Sequence, residues 1–267
     1  MASADTNSPT PYKDVNTLLH SMLVQVQALL ASQLVGFYLY GSLSLGDFDP
    51  ASSDVDFVVV TTEEITAEMF EHLQDMHKKL AFSGLAFSTR LEGSYIPRDA
   101  LRRYDPEHNT HPHIGVDQPF QRRGHGRGWI IESNIIREHG VVVWGPPPQT
   151  LIDPVSPQEL REAVYVLLRN FWSRQLDGPD WLRPRDYQAF AVMSLCRALY
   201  TLHHGALLTK PQAVTWALKE YPRWGPILER SLLWRADHEI DDLTATMDFL
   251  REALVEAQEV YKPFLKE

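Results

Sequence analysis

The order of apolar and polar positions divides this chain into a mixed first half and a helical second half. From Val15 to Leu34 the residues Val15, Leu18, Leu19, Met22, Val26, Leu29 and Leu30 return at three- and four-residue spacing, which predicts an amphipathic helix. An apolar run from Val35 to Tyr40 predicts a buried strand; a second run, entered through Asp54 and Asp56 and ending in Val58-Val59-Val60, predicts another. Thr61-Thr62-Glu63-Glu64 resembles a helix start, with Met69, Leu73, Met76 and Leu80 at helical spacing behind it. Leu85 to Ile96, bounded by Gly84 and Pro97, reads as a third strand with Phe87, Thr89, Leu91, Gly93 and Tyr95 on one face. Its other face carries Ser88, Arg90, Glu92 and Ser94. Residues from about Arg98 to Gly128, rich in Pro, Gly, His and Arg, are expected to be irregular. Trp129 to Glu138 then predicts a helix, and Val141 to Trp144 a short buried strand.

Gly145-Pro146-Pro147-Pro148 is a boundary that neither helix nor sheet interior tolerates. Beyond it the pattern is helical. Ser156-Pro157-Gln158-Glu159 reads as a capping box with Pro at the first helical position, followed by the stripe Leu160, Val164, Leu167, Leu168 and Phe171. Further helices are predicted at about Asp186 to His203, Lys210 to Glu220 and Asp242 to Tyr261, with no strand after Trp144. The fold class is α+β: an α/β domain with a mixed sheet over residues 1–150, then an all-α helical bundle over 151–267.

Composition narrows the function. The 267 residues, 44% hydrophobic, suffice for two modest cores, and no apolar stretch approaches the roughly 20 residues of a membrane span. The segment Met1 to Thr10 is polar and unlike a signal peptide, so a cytoplasmic protein is expected. Cys196, the single cysteine, lies in an apolar helical pattern and reads as a packed thiol. A net charge of −10 argues against general nucleic-acid binding and suits a cationic partner.

The candidate chemistry lies where the first strand ends. Leu39-Tyr40-Gly41-Ser42 is followed by Ser53-Asp54-Val55-Asp56, and carboxylates two apart on a strand point to one face. Two such oxygen donors make a site for Mg²⁺, which is held by one or two carboxylates and completed by phosphate oxygens and water. Gly41 lets phosphate approach the backbone, and Ser42 adds a hydroxyl. Glu92, mid-strand where a carboxylate is unfavourable, is a candidate general base; the alternative is an exposed face on which it pairs with Arg90.

Gly41-Ser42 and the Asp54-x-Asp56 pair before a valine run resemble the signature of nucleotidyltransferases of the DNA polymerase β type. Within that superfamily the chain resembles the aminoglycoside 3''/9-adenylyltransferases, the streptomycin and spectinomycin resistance enzymes. The resemblance implies adenylyl transfer from ATP to a hydroxyl of a small molecule, with Asp54 and Asp56 on Mg²⁺, a second ion nearby, and Glu92 as catalytic glutamate. Ser194-Leu195-Cys196-Arg197-Ala198-Leu199-Tyr200-Thr201, with Gly205 and Thr209-Lys210-Pro211 behind it, is similar to the motif by which those enzymes reach ATP from the helical domain. It implies that Arg197 and Lys210 contact the nucleotide. Arg197 in an apolar helix is in any case costly without an anionic partner. Trp181 and Asp186 fall in the region that carries acceptor contacts in the family: Trp181 for stacking a sugar face, Asp186 for an amino or guanidino group. Glu132 is a further acidic candidate without a motif behind it.

One segment departs from the family expectation. Arg102, Arg103, Arg122, Arg123 and Arg127, with His108, His111, His113 and His125, crowd between residues 102 and 128. If they face the acceptor they oppose a polycation; if they face solvent nothing changes. His111-Pro112-His113 reads as a surface loop rather than a metal site. The sequence therefore predicts a monomeric nucleotidyltransferase acting on a cationic aminoglycoside or aminocyclitol, without nucleic acid or membrane, and conferring resistance. The alternatives are a nucleotidyltransferase acting on a protein or another metabolite, and a non-catalytic nucleotide-binding module.

Overall fold

The structure, a computed structural model, describes residues 8–234, 236 and 240–264. Residues 1–7 of the polar Met1 to Thr10 segment lie outside the described residues. The chain divides into two compact units, Met1–Pro154 and Val155–Glu267.

In the first unit, helix α1 (Lys13–Leu30) leads through a short turn into β1 (Leu34–Leu39), followed by the five-residue α2 (Gly41–Leu45). Strand β2 (Val55–Thr61), helix α3 (Ala67–Ala81) and β3 (Leu91–Pro97) form a strand-helix-strand unit, and β2 and β3 pair in parallel. Then come α4 (Arg98–Arg102), β4 (Thr110–Ile114), β5 (Gln121–Gly124), α5 (Trp129–His139) and β6 (Val141–Trp144). The sheet runs β5-β4-β3-β2-β1-β6, with every pairing but β2–β3 antiparallel. Alternation along the central strands sends Phe37, Leu39, Val55, Phe57, Val59, Leu91 and Tyr95 into a core with Leu18, Leu19 and Met22 of α1 and Leu73, Met76 and Leu80 of α3. The opposite face of β2 and β3 is left for Asp56, Glu92 and Ser94.

Four expectations change here. Helix α3 starts at Ala67, because Thr66, not the Thr61-Thr62 pair, caps it: its Oγ1 accepts from the Met69 N–H at 3.2 Å, while Thr61 still belongs to β2. The third strand begins at Leu91 rather than Leu85. Phe87 has φ +65° and its carbonyl accepts from the Arg90 N–H at 2.9 Å, so residues 85–90 turn despite their alternation. Residues 98–128 are not irregular but supply α4, β4 and β5, and His111 and His113 on β4 are 3% and 4% exposed rather than in a surface loop. Strand β6, expected to be buried, is an edge strand on which Val142 and Trp144 stay 40% and 39% exposed.

The second unit holds α6 (Pro157–Leu167), a π-helical turn (Leu168–Trp172), α7 (Arg185–His204), α8 (Lys210–Glu220), α9 (Gly225–Leu232) and α10 (Leu243–Tyr261). No strand follows β6 among the described residues. The α6 capping box forms as expected: Ser156 Oγ accepts from the Glu159 N–H at 3.2 Å and Glu159 Oε2 accepts from the Ser156 N–H at 2.8 Å. The π-turn widens the helix, so Leu168 and Trp172 are buried and Phe171, expected in the stripe, emerges 40% exposed. Cys196 is buried in α7, where burial raises its thiol pKa. Between helices, Arg185 and Arg230 close on the buried Asp242 at 3.1 and 2.8 Å.

Candidate active site

The parallel register of β2 and β3 sets Asp56 directly opposite Glu92. Residues opposite one another share a face, so the third strand brings its carboxylate beside the Asp-x-Asp pair. Asp54 lies just before β2, two residues from Asp56. On the other side, the Tyr40 N–H donates to the Asp56 carbonyl at 3.1 Å, which continues the β1–β2 ladder to the residue before Gly41.

Gly41 is the point of closest approach. Its φ is +62°, and a Cβ there would lie 2.0 Å from Asp56 Oδ2 and 2.8 Å from Asp56 Cγ. The Asp56 carboxylate thus fills the space a side chain would occupy. Two hard oxygen donors beside a bare glycine fit a divalent cation that keeps positions for phosphate oxygens. Among the described residues no group of three or more His, Cys, Asp or Glu is arranged to enclose a metal ion. Ser42 follows within α2, half-buried.

The same face continues across the hairpin of β4 and β5, where Ser94 opposes His113, and His111 opposes Arg123. Arg123 Nη1 lies 4.0 Å from Glu92 Oε1 and donates to His113 Nε2 at 2.9 Å. Since the guanidinium can only donate, that nitrogen bears the lone pair and His113 is neutral with its proton on Nδ1, facing Ser94 Oγ at 2.9 Å. Ser94 Oγ in turn reaches His125 Nε2 at 3.2 Å, and the His125 ring packs on Trp129. Burial and Arg123 push His113 down to about 4, and burial with the neighbouring His111, His113 and Arg123 pushes His125 down to about 3. Tyr40, buried against Trp129, is raised well above the ordinary tyrosine value by burial, with Glu132, Asp56 and Glu92 adding to it and Arg123 opposing. Three other arginines of the segment have partners elsewhere: Arg102 and Arg103 approach Asp153 at 3.2 and 3.7 Å, and Arg122 donates to the Ile65 carbonyl at 2.7 Å. Arg90, the alternative partner for Glu92, donates instead to the carbonyls of Pro50 and Ala51.

In the helical unit, Asp186, Phe190 and Arg197 are spaced along one face of α7. Trp181, 36% exposed, packs with Tyr187 at 4.8 Å and with Phe171, Trp172 and Phe190 in an aromatic cluster. Lys210 opens α8 behind the Thr209 cap, its Nζ 4.3 Å over the Phe190 ring. Trp181 and Lys210 thus meet at Phe190, while Asp186 is exposed in the first turn of α7 and Arg197 is half-buried.

Residues 26–99 match a nucleotidyltransferase domain, and residues 150–259 match the C-terminal domain of aminoglycoside adenylyltransferase. An Escherichia coli aminoglycoside (3'')(9) adenylyltransferase is 26% identical over 254 residues, covering 90% of this chain and 92% of its own length. The chain is similar to the aminoglycoside adenylyltransferases along nearly its whole length. A Rhizobium radiobacter aminoglycoside (3'')(9) adenylyltransferase is 32% identical over 117 residues, 43% of this chain and 41% of that protein. A spectinomycin adenyltransferase of Enterococcus faecialis, solved with ATP and spectinomycin, shares the fold: TM-score 0.69 at 18% identity, covering 90% of this chain and 98% of that one. The chain carries a nucleotidyltransferase domain within an α+β fold. Among the described residues no helix is long and apolar enough to cross a membrane.

Sequence reading missed Tyr40, Ser94, His113, Arg123 and His125 as neighbours of the carboxylates. The signal for Ser94 was its two-residue spacing from Glu92; for Arg123 and the histidines it was hidden, because Pro112 and the charged run concealed the two strands.

Proposed function

We propose that this protein transfers AMP from ATP to a hydroxyl of an aminoglycoside or aminocyclitol, releasing pyrophosphate and so inactivating the drug. The observation that carries the reading is the register of Asp56 against Glu92. It supplies, side by side, a carboxylate suited to a cation and one suited to a proton, the two demands of phosphoryl transfer to an alcohol.

In this mechanism Asp54 and Asp56 would hold Mg²⁺, with the Asp56 carboxylate seated in the space that Gly41 leaves open, and Ser42 contributes its hydroxyl. Mg²⁺, as two ions by the family resemblance, supplies charge neutralisation at the triphosphate when bound. Glu92 accepts the proton of the acceptor hydroxyl as its oxygen bonds to the α-phosphorus and the bond to the pyrophosphate oxygen breaks. Arg197 and Lys210 provide cations for the triphosphate; Lys210 is oriented by the Phe190 face and Arg197 by its fixed place on α7. Trp181 and Asp186 are the proposed acceptor contacts, one by stacking and one by charge. The proposal takes the protein to work as a cytoplasmic monomer without nucleic acid or membrane, in keeping with its net charge of −10.

The test is pyrophosphate release from ATP and Mg²⁺ over a panel of aminoglycosides and aminocyclitols. Acceptor-dependent release is expected, with ATP affinity weakened by Arg197→Ala. Absence of release with every drug while ATP binds in a Mg²⁺-dependent way would remove these acceptors, and unchanged ATP affinity in Arg197→Ala would remove that residue's role.

A further inference from the structure

We propose that Arg123 sets acceptor specificity at this site, weighting it against acceptors that carry positive charge beside the reacting hydroxyl. The inference rests on Glu92 as the group that the hydroxyl must approach, and deepens the reading above. Arg123 Nη1 stands 4.0 Å from Glu92 Oε1 with its side chain about half exposed, so a hydroxyl compound that reaches Glu92 meets this cation too. The guanidinium is not a loose surface group. It is fixed by its 2.9 Å bond to His113, which is 4% exposed and held through Ser94 to His125. That relay orients the lone pair of His113 at Arg123, so the positive charge cannot fold away without leaving a buried nitrogen unpaired. A fixed cation beside the reacting centre disfavours an ammonium or guanidinium substituent there and favours a hydroxyl, carbonyl or anionic one.

The experiment measures affinity for a series of increasing positive charge: myo-inositol, spectinomycin, then streptomycin with its guanidinium groups. Titrations are run with a non-hydrolysable ATP analogue and Mg²⁺, on the wild type, Arg123→Gln and Arg123→Glu. The ratio of streptomycin to spectinomycin affinity is expected to rise about tenfold or more in Arg123→Glu, less in Arg123→Gln, and the gain is expected to shrink with added salt. A ratio identical in the three proteins overturns the inference. So does a uniform loss of analogue binding with no change in ratio, since the guanidinium then serves the nucleotide. Failure to bind any member of the series in all three proteins overturns it as well. Turnover separates the two proposals: a changed affinity ratio without pyrophosphate release with any acceptor removes the transferase reading and leaves Arg123 as a selector of ligands.

Discussion

Gly41→Ala is the substitution whose outcome follows most closely from the site's geometry. The added methyl would lie 2.0 Å from Asp56 Oδ2, where ordinary contact needs about 3.2 Å, so the carboxylate must retreat by about 1 Å or the turn must open. Where the turn keeps φ +62°, the added side chain also bears the cost of a left-handed conformation, roughly 1–2 kcal/mol for an L-residue. Stability should therefore fall by only about that much, a drop in Tm of roughly 3–6 °C. Activity should fall far more, by about a hundredfold, because a misplacement of this size at a positioned group costs that much. The assay pairs thermal unfolding with acceptor-dependent pyrophosphate release and Mg²⁺-dependent ATP binding. A variant that keeps activity within threefold of wild type would refute the reasoning, since Asp56 would then have no fixed place to lose.

Gly93→Ala should lower stability by about 1–3 kcal/mol in denaturant unfolding: its Cβ would lie 2.3 Å from the Phe57 carbonyl oxygen, and a backbone atom cannot yield. His77, stacked between Phe57 and Phe120 with Nε2 2.9 Å from the Tyr95 hydroxyl, is pushed by burial from 6.5 down to about 3. The unfolded chain protonates this histidine below pH 6.5 while the folded one does not, so stability falls with acidity, by about 2 kcal/mol between pH 7 and 5. Urea unfolding of His77→Gln should lack that increment; equal slopes in both proteins would contradict it. In the helical unit, Asp242→Asn should cost about 3–5 kcal/mol, since it strips the shared partner from Arg185 and Arg230, and Arg185 is 8% exposed. A midpoint shift too small for that cost would show that the arginines find other partners.

What the sequence made legible was whatever a local period or cap encodes. Helix α8 spans Lys210–Glu220 as its pattern predicts, and α6 starts at its capping box, because both are fixed within a few residues. Strand β3 was overextended because residues 85–90 alternate as a strand does while Phe87 holds a positive φ that no period reveals. The Asp54, Asp56 and Gly41 group was readable from spacing along the chain, whereas the setting of Glu92 was only conditional: strand pairing is a long-range fact, and it took the β2–β3 register to put Glu92 opposite Asp56. Arg123 was visible only as one charge among many. Its separation from Arg102, Arg103 and Arg122 arises from which strand each flanks and which carbonyl or carboxylate lies in reach. The helical unit's aromatic cluster was foreshadowed by Trp181 alone; Phe190 joined it through helical phase and Phe171 through the π-turn.

The central claim is that the facing carboxylates of β2 and β3 divide the work, Asp56 for the cation and Glu92 for the proton. A single-turnover measurement with ATP labelled in the α-phosphate tests it, on Asp56→Asn and Glu92→Gln with Mg²⁺-dependent ATP binding recorded in parallel. The account predicts that Glu92→Gln binds Mg²⁺ and ATP as the wild type does yet transfers label to the acceptor at least a hundredfold more slowly, in line with loss of a general base. It predicts that Asp56→Asn loses the Mg²⁺ dependence of binding itself. Transfer at the wild-type rate by Glu92→Gln, or the same binding defect in both variants, would contradict it.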